Sequence, residues 1–407
     1  MNRIRGGFAL MAVVLLVGAA CGKGTATTSG GGPSGPKVWS SIGQGEGSLN
    51  LIAWPGYVES GQNDPKFDWV TPFQQQTGCT VKVTYADTSP QMVTLMRQGG
   101  GKVYDGVSAS GNATNQLIAH GDVAAIDVNK IIAGYGSLVM RSLQAPGHNT
   151  VKGVHYGVPY MWGPNFLMYN TKVVTTAPTS WNVVFEPTID GQPNPYAGKV
   201  TAYNDSITIA DAALYLKAHN PSLGITDPYE LTSAQLDAAV SLLQQQHSLV
   251  TKYWAAYTDE IDGFESGAMV IGTAWPVNQA LIASDGKVPV ASVYPSEGVT
   301  GWADTWMMSA HAPHPNCMLK WMQWTMKPDV QAQVAEYYGA TPSLTAACPI
   351  LTKDIGSDAT TLYHCGDDAF LSKIALWKTP IADCGNGKTD CTDINAWTDK
   401  WTQITGG

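Results

Sequence analysis

The chain is short of charge, and what it carries leans acidic: 32 Asp and Glu stand against 23 Lys and Arg in 407 residues, and arginine is scarce. A nucleic-acid binder needs a basic stripe to neutralise phosphates, so that class is excluded. An acidic surface suits a cationic partner, although net charge chiefly governs solubility. Long apolar runs are missing as well. The run from Phe8 to Val17 falls short of the roughly 18 residues that a membrane-spanning helix needs. No H-E-x-x-H, Walker loop or G-x-G-x-x-G occurs, and no cysteines have C-x-x-C spacing, so neither a metal nor a cofactor is expected. The nearest approach to a nucleophile elbow, Gly106-Val-Ser-Ala-Ser110, lacks the closing glycine. The histidines are scattered, and His311 and His314 straddle Pro313 in a loop better suited to solvent than to a metal. A secreted hydrolase is the weaker reading, and the chain is read as a non-enzyme.

What is present begins with an export signal. Arg3 and Arg5 precede the apolar run, and Gly18-Ala19-Ala20-Cys21 comes after it, which is the order of a signal peptide over residues 1–20. Cysteine directly after small residues resembles a lipoprotein signal in which Cys21 is lipidated, with Gly18 where an aliphatic residue is usual. Residues 21–47 are nearly all Gly, Ser, Thr and Pro after that cysteine and read as a flexible tether. Loss of residues 1–20 removes two arginines and no acid, taking the net charge from −9 to −11. The remaining globular part exceeds one domain of about 100–200 residues, so two lobes are expected. It holds six further cysteines, Cys79, Cys317, Cys348, Cys365, Cys384 and Cys391. An even count in an exported chain points to three disulfides with fifteen possible connectivities. Local pairing would join Cys384 to Cys391 and Cys348 to Cys365, leaving Cys79 for Cys317.

Along the chain, strands alternate with helices, which implies parallel βαβ units and an α/β fold. Ser48 to Trp54 is an apolar strand broken by Pro55-Gly56 and succeeded by Tyr57. Helices are expected over 69–76, 90–98 and 114–120, with strands over 80–85 and 103–108. The extended aromatic stretch Gly157 to Tyr169 is long enough to cross between lobes. Lys199 to Tyr203 reads as a strand ending in Asn204-Asp205, and Ala268 to Ala274 as one ending in Trp275-Pro276. From Thr232, which forms a capping box with Gln235, a helical stripe runs through Leu236, Val240, Leu243, His247, Val250, Trp254 and Tyr257. His247 on that stripe reads as a packed core histidine rather than a ligand. The tail from Cys348 reads as loop-rich.

The most informative stretch is Gly298-Val-Thr-Gly-Trp-Ala-Asp-Thr-Trp306. On a strand over 302–309, Trp302, Asp304 and Trp306 would share a face. An acid beside aromatic faces attracts an organic cation, the ring adding about 0.5–2 kcal/mol. Ligands in open α/β sheets sit beyond the carboxyl ends of strands. The residues at those strand ends add Trp54, Tyr57, Ser110, Asp205 and Trp275 to Trp302 and Asp304. Each has a plainer role open to it: Trp54 and Trp275 as plugs of the sheet ends, Asp205 as the cap of a helix starting near Ile209, and the 302–306 tryptophans as core.

These residues fall in motifs that resemble the substrate-binding proteins of polyamine ABC importers, the putrescine and spermidine binders. The resemblance runs from about Ser48 to the C-terminus. It is carried by Leu51-Ile-Ala-Trp-Pro-Gly-Tyr57, Tyr104-Asp105, Val158-Pro-Tyr-Met-Trp-Gly163, Gly298-Val-Thr-Gly-Trp-Ala-Asp304, Pro328-Asp-Val-Gln-Ala-Gln-Val334 and Gly339-Ala-Thr-Pro342. The nearest branch is the putrescine-importer type. The resemblance implies a two-lobe periplasmic-binding-protein-like (type II) fold, with lobe one at 48–165 plus 301–347 and lobe two at 166–300 plus 348–407. It implies an interlobe cleft that closes about a hinge. Trp54, Tyr57, Trp275 and Trp302 would line the slot, Ser110 would bond an amine, and Asp205 and Asp304 would hold ammonium groups. The implied partners are a small cationic amine and the permease subunits of an ABC transporter. The receptor would be a monomer, at the outer face of the cell membrane through its lipid or in the periplasm. Three departures shape the ligand: Thr208 replaces a second acid, Asn112 a cleft tyrosine, and Lys378 aligns with a glutamine. They favour a short diamine, putrescine first, or an amine with an anionic end. If Lys378 points outward, the diamine gains.

Overall fold

The structure, a computed structural model, describes residues 37–384 and 389–406. The signal peptide, Cys21 and most of the tether lie outside the described residues. The last part of the expected tether is not free. Val38–Trp39 pairs in parallel with Ala125–Ile126, and Glu46 accepts bonds from the backbone N–H groups of Asn316 and Cys317 at 3.0 and 2.9 Å. One acid facing two backbone donors suffices to hold a Gly- and Ser-rich segment that has no core of its own.

Two sheets organise the rest. The first runs in the order Thr341–Pro342, Val158–Pro164, Thr300–Met308, Gly106–Ala109, Ser48–Ala53, Thr80–Tyr85. Ser48–Ala53, Thr80–Tyr85 and Gly106–Ala109 pair in parallel through helical crossovers, while Thr300–Met308 runs antiparallel to Gly106–Ala109 and Val158–Pro164. The second runs Val250–Trp254, Val200–Tyr203, Ile271–Ala274, Phe166–Asn170, Val290–Val293. Its first three strands are parallel and Phe166–Asn170 is antiparallel to both flanking strands. Strands buried on both faces need unbroken apolar runs. Val158–Pro164 supplies one, buried throughout, and Ser48–Ala53 does so from Leu51 onward, with Leu51, Ile52, Val158, Tyr160 and Trp162 almost free of solvent.

Local signals explain the boundaries. Val70–Thr77 stops at Gly78 with φ 70°, a left-handed cap that glycine adopts without steric cost. Thr232 and Gln235 form a complete capping box at the head of Ser233–His247. That helix ends sooner than the stripe through Tyr257 implied. Val250–Trp254 is a strand and Tyr257–Ser266 a separate helix, because the β-branched pair Val250 and Thr251 fits a pleated surface better than a helix. His247 is not core. It is exposed and stacks on Tyr253 with ring centroids 5.8 Å apart, while Gln246 takes the buried place on the helix. The tail is also more ordered than its composition implied: Ile394–Thr405 is a helix that buries Trp397, Trp401 and Ile404 at three- and four-residue spacing. Disulfides join Cys79 to Cys317, Cys348 to Cys365 and Cys384 to Cys391. Among the described residues no helix is long and apolar enough to cross a membrane.

Candidate ligand-binding site

Asp304 lies in the middle of Thr300–Met308, 2% exposed. Two hydroxyls hold its carboxylate. Tyr57, just beyond the first strand, donates to Oδ2 at 2.5 Å, and Ser110, which heads the helix Gly111–Ala119, donates to Oδ1. Burial pushes the acid up to about 7, against the pull of the Ser110 and Tyr57 bonds. Tyr338 closes over Tyr57, ring centroids 4.4 Å apart. Trp302 stands edge-on to Tyr338 and to Trp275, at 6.3 and 6.2 Å. Its place depends on Gly163 in the paired strand, where a Cβ would sit 2.6 Å from the indole ring.

The second sheet provides the facing wall. Trp275 comes directly after Ile271–Ala274 and caps the helix Pro276–Asp285. Tyr203, at the end of Val200–Tyr203, packs against Trp275 at 5.1 Å and stacks on Trp377 at 5.7 Å. Asp205 heads the turn Ser206–Thr208, accepting the N–H of Ile207 at 2.9 Å. Its other oxygen accepts a long bond, 3.4 Å, from Nδ2 of Asn112 on the opposite wall. Burial raises Asp205 to about 6, with the Ile207 and Ser206 bonds opposing. Asp205 is thus a cap and a cleft acid at once.

Trp54, Ser110, Trp275, Trp302, Asp304, Tyr338 and Trp377 line one cavity of about 10 Å³, scarcely the room of a single water. Of the seven residues singled out from sequence, five are walls. Tyr57 lies behind Asp304, and Asp205 stands beside the cavity rather than in its lining. Trp306 packs below it against Tyr160 and Trp321. The pairing of its strand with Val158–Pro164 shifts register between Ala303 and Thr305, which breaks the simple alternation expected through 302–306. Tyr338 and Trp377 escaped the sequence reading. One ends a helix and the other comes after the two-residue strand Ala375–Leu376, so neither sits at a strand end that periodicity could find. Lys378 turns away. Its ammonium lies 2.8 Å from Asp227 and 2.6 Å from Glu230.

No serine here has the company of a nucleophile. Ser108 Oγ accepts the N–H of Trp54 at 3.3 Å, Ser110 serves Asp304, and among the described residues neither hydroxyl bonds a histidine. Cys384, Asp390 and Cys391 form a cluster of metal-ligand spacing, but the two sulfurs are bonded to each other.

Residues 68–360 match the family described as Bacterial extracellular solute-binding protein. The chain belongs to that family. Among its relatives, the spermidine/putrescine-binding periplasmic protein of Escherichia coli K12 is 25% identical over 337 residues, covering 82% of this chain and 87% of the relative. The Tp0655 (TpPotD) lipoprotein of Treponema pallidum superposes with TM-score 0.67 at 17% identity, covering 88% of this chain and 100% of that one. The MotA protein of Agrobacterium tumefaciens B6, in complex with glucopine, does so with TM-score 0.65 at 14% identity, covering 88% and 99%. The fold of this solute-binding protein is accordingly the two-lobe, α/β periplasmic-binding-protein type, and the family binds and carries solutes rather than transforming them.

Proposed function

We propose that this solute-binding protein is the receptor of an ABC importer, that its ligand is a small polyamine, putrescine first, and that it hands the ligand to the permease subunits. The observation that carries the reading is Asp304, a buried acid fixed by Tyr57 and Ser110 and walled by Trp54, Trp275 and Trp302. A protonated amine taken out of water without a carboxylate would be prohibitively costly. The methylene stem between two amines needs apolar walls instead, and the tryptophans offer them. Asp205 supplies the acid for the second ammonium. The E. coli relative's name gives spermidine and putrescine, and the shorter of these suits a site with Thr208 in place of an acid. With Lys378 paired outside the cavity, that ammonium does not oppose the second amine.

The lobes would be 48–165 plus 301–347 and 166–300 plus 348–407, built on the two sheets. Ala375–Leu376 pairs with the first sheet, so the last segment visits lobe one before its C-terminal helix packs in lobe two. A cavity of about 10 Å³ admits a diamine only if the lobes part and close again. Cys21 would carry the lipid, leaving the tether as slack between membrane and receptor.

Titration calorimetry of the mature domain with putrescine, spermidine and γ-aminobutyrate, on wild type and Asp304→Asn, tests this. Micromolar or tighter putrescine binding that is lost in Asp304→Asn is the expected result. Absence of binding to either polyamine would overturn it. A second reading, an amine bearing an acceptor group, draws on the indole N–H of Trp302, buried without a partner among the described residues. Binding of γ-aminobutyrate alone would favour it.

A further inference from the structure

The chain passes between the sheets at three places that lie side by side. Asn165 is the single residue between Val158–Pro164 of the first sheet and Phe166–Asn170 of the second. Thr300 opens Thr300–Met308 after the second-sheet strand Val290–Val293. The two crossings are tied by a bond from the N–H of Asn165 to the carbonyl of Thr300, 2.9 Å. The third, Ala375–Leu376, pairs in parallel with Thr300 and Gly301, and Tyr229 donates to the carbonyl of Ala375 at 2.6 Å.

A side-chain relay threads the first two crossings. The indole N–H of Trp275 donates to Oδ1 of Asn165 at 2.9 Å. Nδ2 of Asn165 donates to Oγ1 of Thr300 at 2.7 Å, and the Thr300 hydroxyl donates to Oδ1 of Asp211. The direction is forced. An indole only donates, so the amide must turn its oxygen to Trp275 and its nitrogen to Thr300, which leaves the hydroxyl proton for the carboxylate. Asn165 and Thr300 are 2% and 1% exposed, so breaking one link strands a buried polar atom.

We infer that Asn165, Thr300 and Asp211 are positioning residues for ligand binding: without touching the ligand they hold the indole of Trp275 and set the angle between the two walls of the slot. Trp302 and Asp304 stand two and four residues beyond Thr300 on one strand, so the first wall rides on this crossing. The second wall is fastened to the same point twice. Trp275 is fastened through Asn165. Asp205 is fastened through Asp211, since the turn that Asp205 caps runs directly into the helix Ile209–His219 that carries Asp211. A change in lobe angle cannot leave this relay unchanged, and a loosened relay frees the tryptophan that faces the ligand.

The inference rests on the amine-receptor reading for its binding readout but not for its structural one. Two measurements separate them: hydrogen exchange of the Trp275 indole N–H in ¹⁵N-tryptophan-labelled, ligand-free protein, and stopped-flow dissociation of putrescine. Thr300→Val removes the hydroxyl at constant shape, Asp211→Ala removes the terminal acceptor, and Asp211→Asn keeps an acceptor without the charge. Indole exchange and putrescine dissociation should each accelerate about tenfold in Thr300→Val and Asp211→Ala, the scale of one buried hydrogen bond. Asp211→Asn should stay within about twofold of wild type, since its amide oxygen still accepts the Thr300 proton. Wild-type rates in folded Thr300→Val and Asp211→Ala would overturn the inference, as would an Asp211→Asn variant as impaired as Asp211→Ala. Should Thr300→Val fail to fold, the two Asp211 variants decide. If the wild type binds no putrescine, the ligand reading fails, and the indole exchange still decides the relay.

Discussion

The two acids of the slot are built differently, although burial raises both. Asp304 has each oxygen bonded by a hydroxyl from just beyond a strand of its own sheet, Tyr57 on one and Ser110 on the other. Asp205 gives one oxygen to the backbone of the turn it caps and offers the other across the cleft to Asn112 at 3.4 Å. On the proposed lobe division the first is assembled within one lobe and would be ready whatever the lobe angle. The second has its partner on the opposite wall, so it would complete the site only when the lobes meet. On the proposed reading, a receptor made this way would capture an ammonium on Asp304 and use the far amine, through Asp205, to reward closure.

The largest expected effect separates the two acids. Asp304→Asn should abolish amine binding, weakening it more than about 100-fold, because leaving a buried charge unpaired costs about 3–5 kcal/mol. Asp205→Asn should cost about tenfold, because its long bond to Asn112 and its capping role leave the carboxylate less committed to the ligand. Titration calorimetry of both variants with putrescine measures the ratio. Equal losses would break the distinction between a ready acid and a closing one.

Closure itself can be blocked next. The helix Pro328–Tyr338 ends at Gly339 with φ 80°, and a Cβ there would lie 2.9 Å from Cα of Val277 on the helix Pro276–Asp285, which follows the second-sheet strand Ile271–Ala274. Gly339→Ala should therefore hold the walls apart and weaken putrescine roughly tenfold. In that background Asp205→Asn should add little, while Asp304→Asn should keep its full effect. A double-mutant cycle reads this directly. Full additivity at Asp205 would show that its ammonium contact does not wait for closure.

pH gives a smaller and opposed pair of effects. With Asp304 and Asp211 raised to about 7 and Asp205 to about 6, the ligand-free fold binds more protons than the unfolded chain between about pH 4 and 7. Their contribution to stability is present below the unfolded carboxyl range and is lost as pH rises through the folded values. The ligand-free melting midpoint should fall from pH 5 to pH 8, other groups being equal. Diamine affinity should move the other way, strengthening as Asp304 ionises, by up to about tenfold per pH unit for one proton released. Scanning calorimetry with and without putrescine at pH 5, 6.5 and 8 tests both. A ligand-induced rise in midpoint that is largest at pH 5 would contradict the cation clamp.

How much of this was legible in the sequence tracks the same divide between local and distant order. Trp54, Ser110 and Trp275 come directly after strands and Trp302 and Asp304 lie within one, and a strand announces itself through its apolar run, so their convergence could be read residue by residue. Tyr338 and Trp377 could not, because their places depend on a helix terminus and on a third crossing only two residues long, set by pairing with Thr300 and Gly301. The relay from Trp275 to Asp211 was equally hidden. Asn165 and Thr300 are 135 residues apart, and no periodicity links them. The stripe that carried a helix too far, from Ser233 through Tyr257, failed for a related reason. Three- and four-residue spacing persisted by chance while β-branched residues were already changing the backbone preference.

The smallest effect decides the ligand's far end. Lys378 was the residue that could have turned the slot toward a zwitterion, and it is instead held above its usual range by Asp227 and Glu230 despite its partial burial. Ion pairs of this partly exposed kind contribute about 0–1 kcal/mol. Lys378→Met should then leave putrescine affinity within about twofold of wild type. Its adjacent residue Trp377 must keep its stack on Tyr203 for that comparison to hold, and Trp377 fluorescence in the variant would report it. A tenfold or greater loss of γ-aminobutyrate binding in the same variant, with the stack intact, would mean that Lys378 swings inward when the lobes open and serves an anionic group. Asp205 would then be left as a helix cap alone, and the contrast between the two acids would reduce to one ammonium clamp and one structural turn.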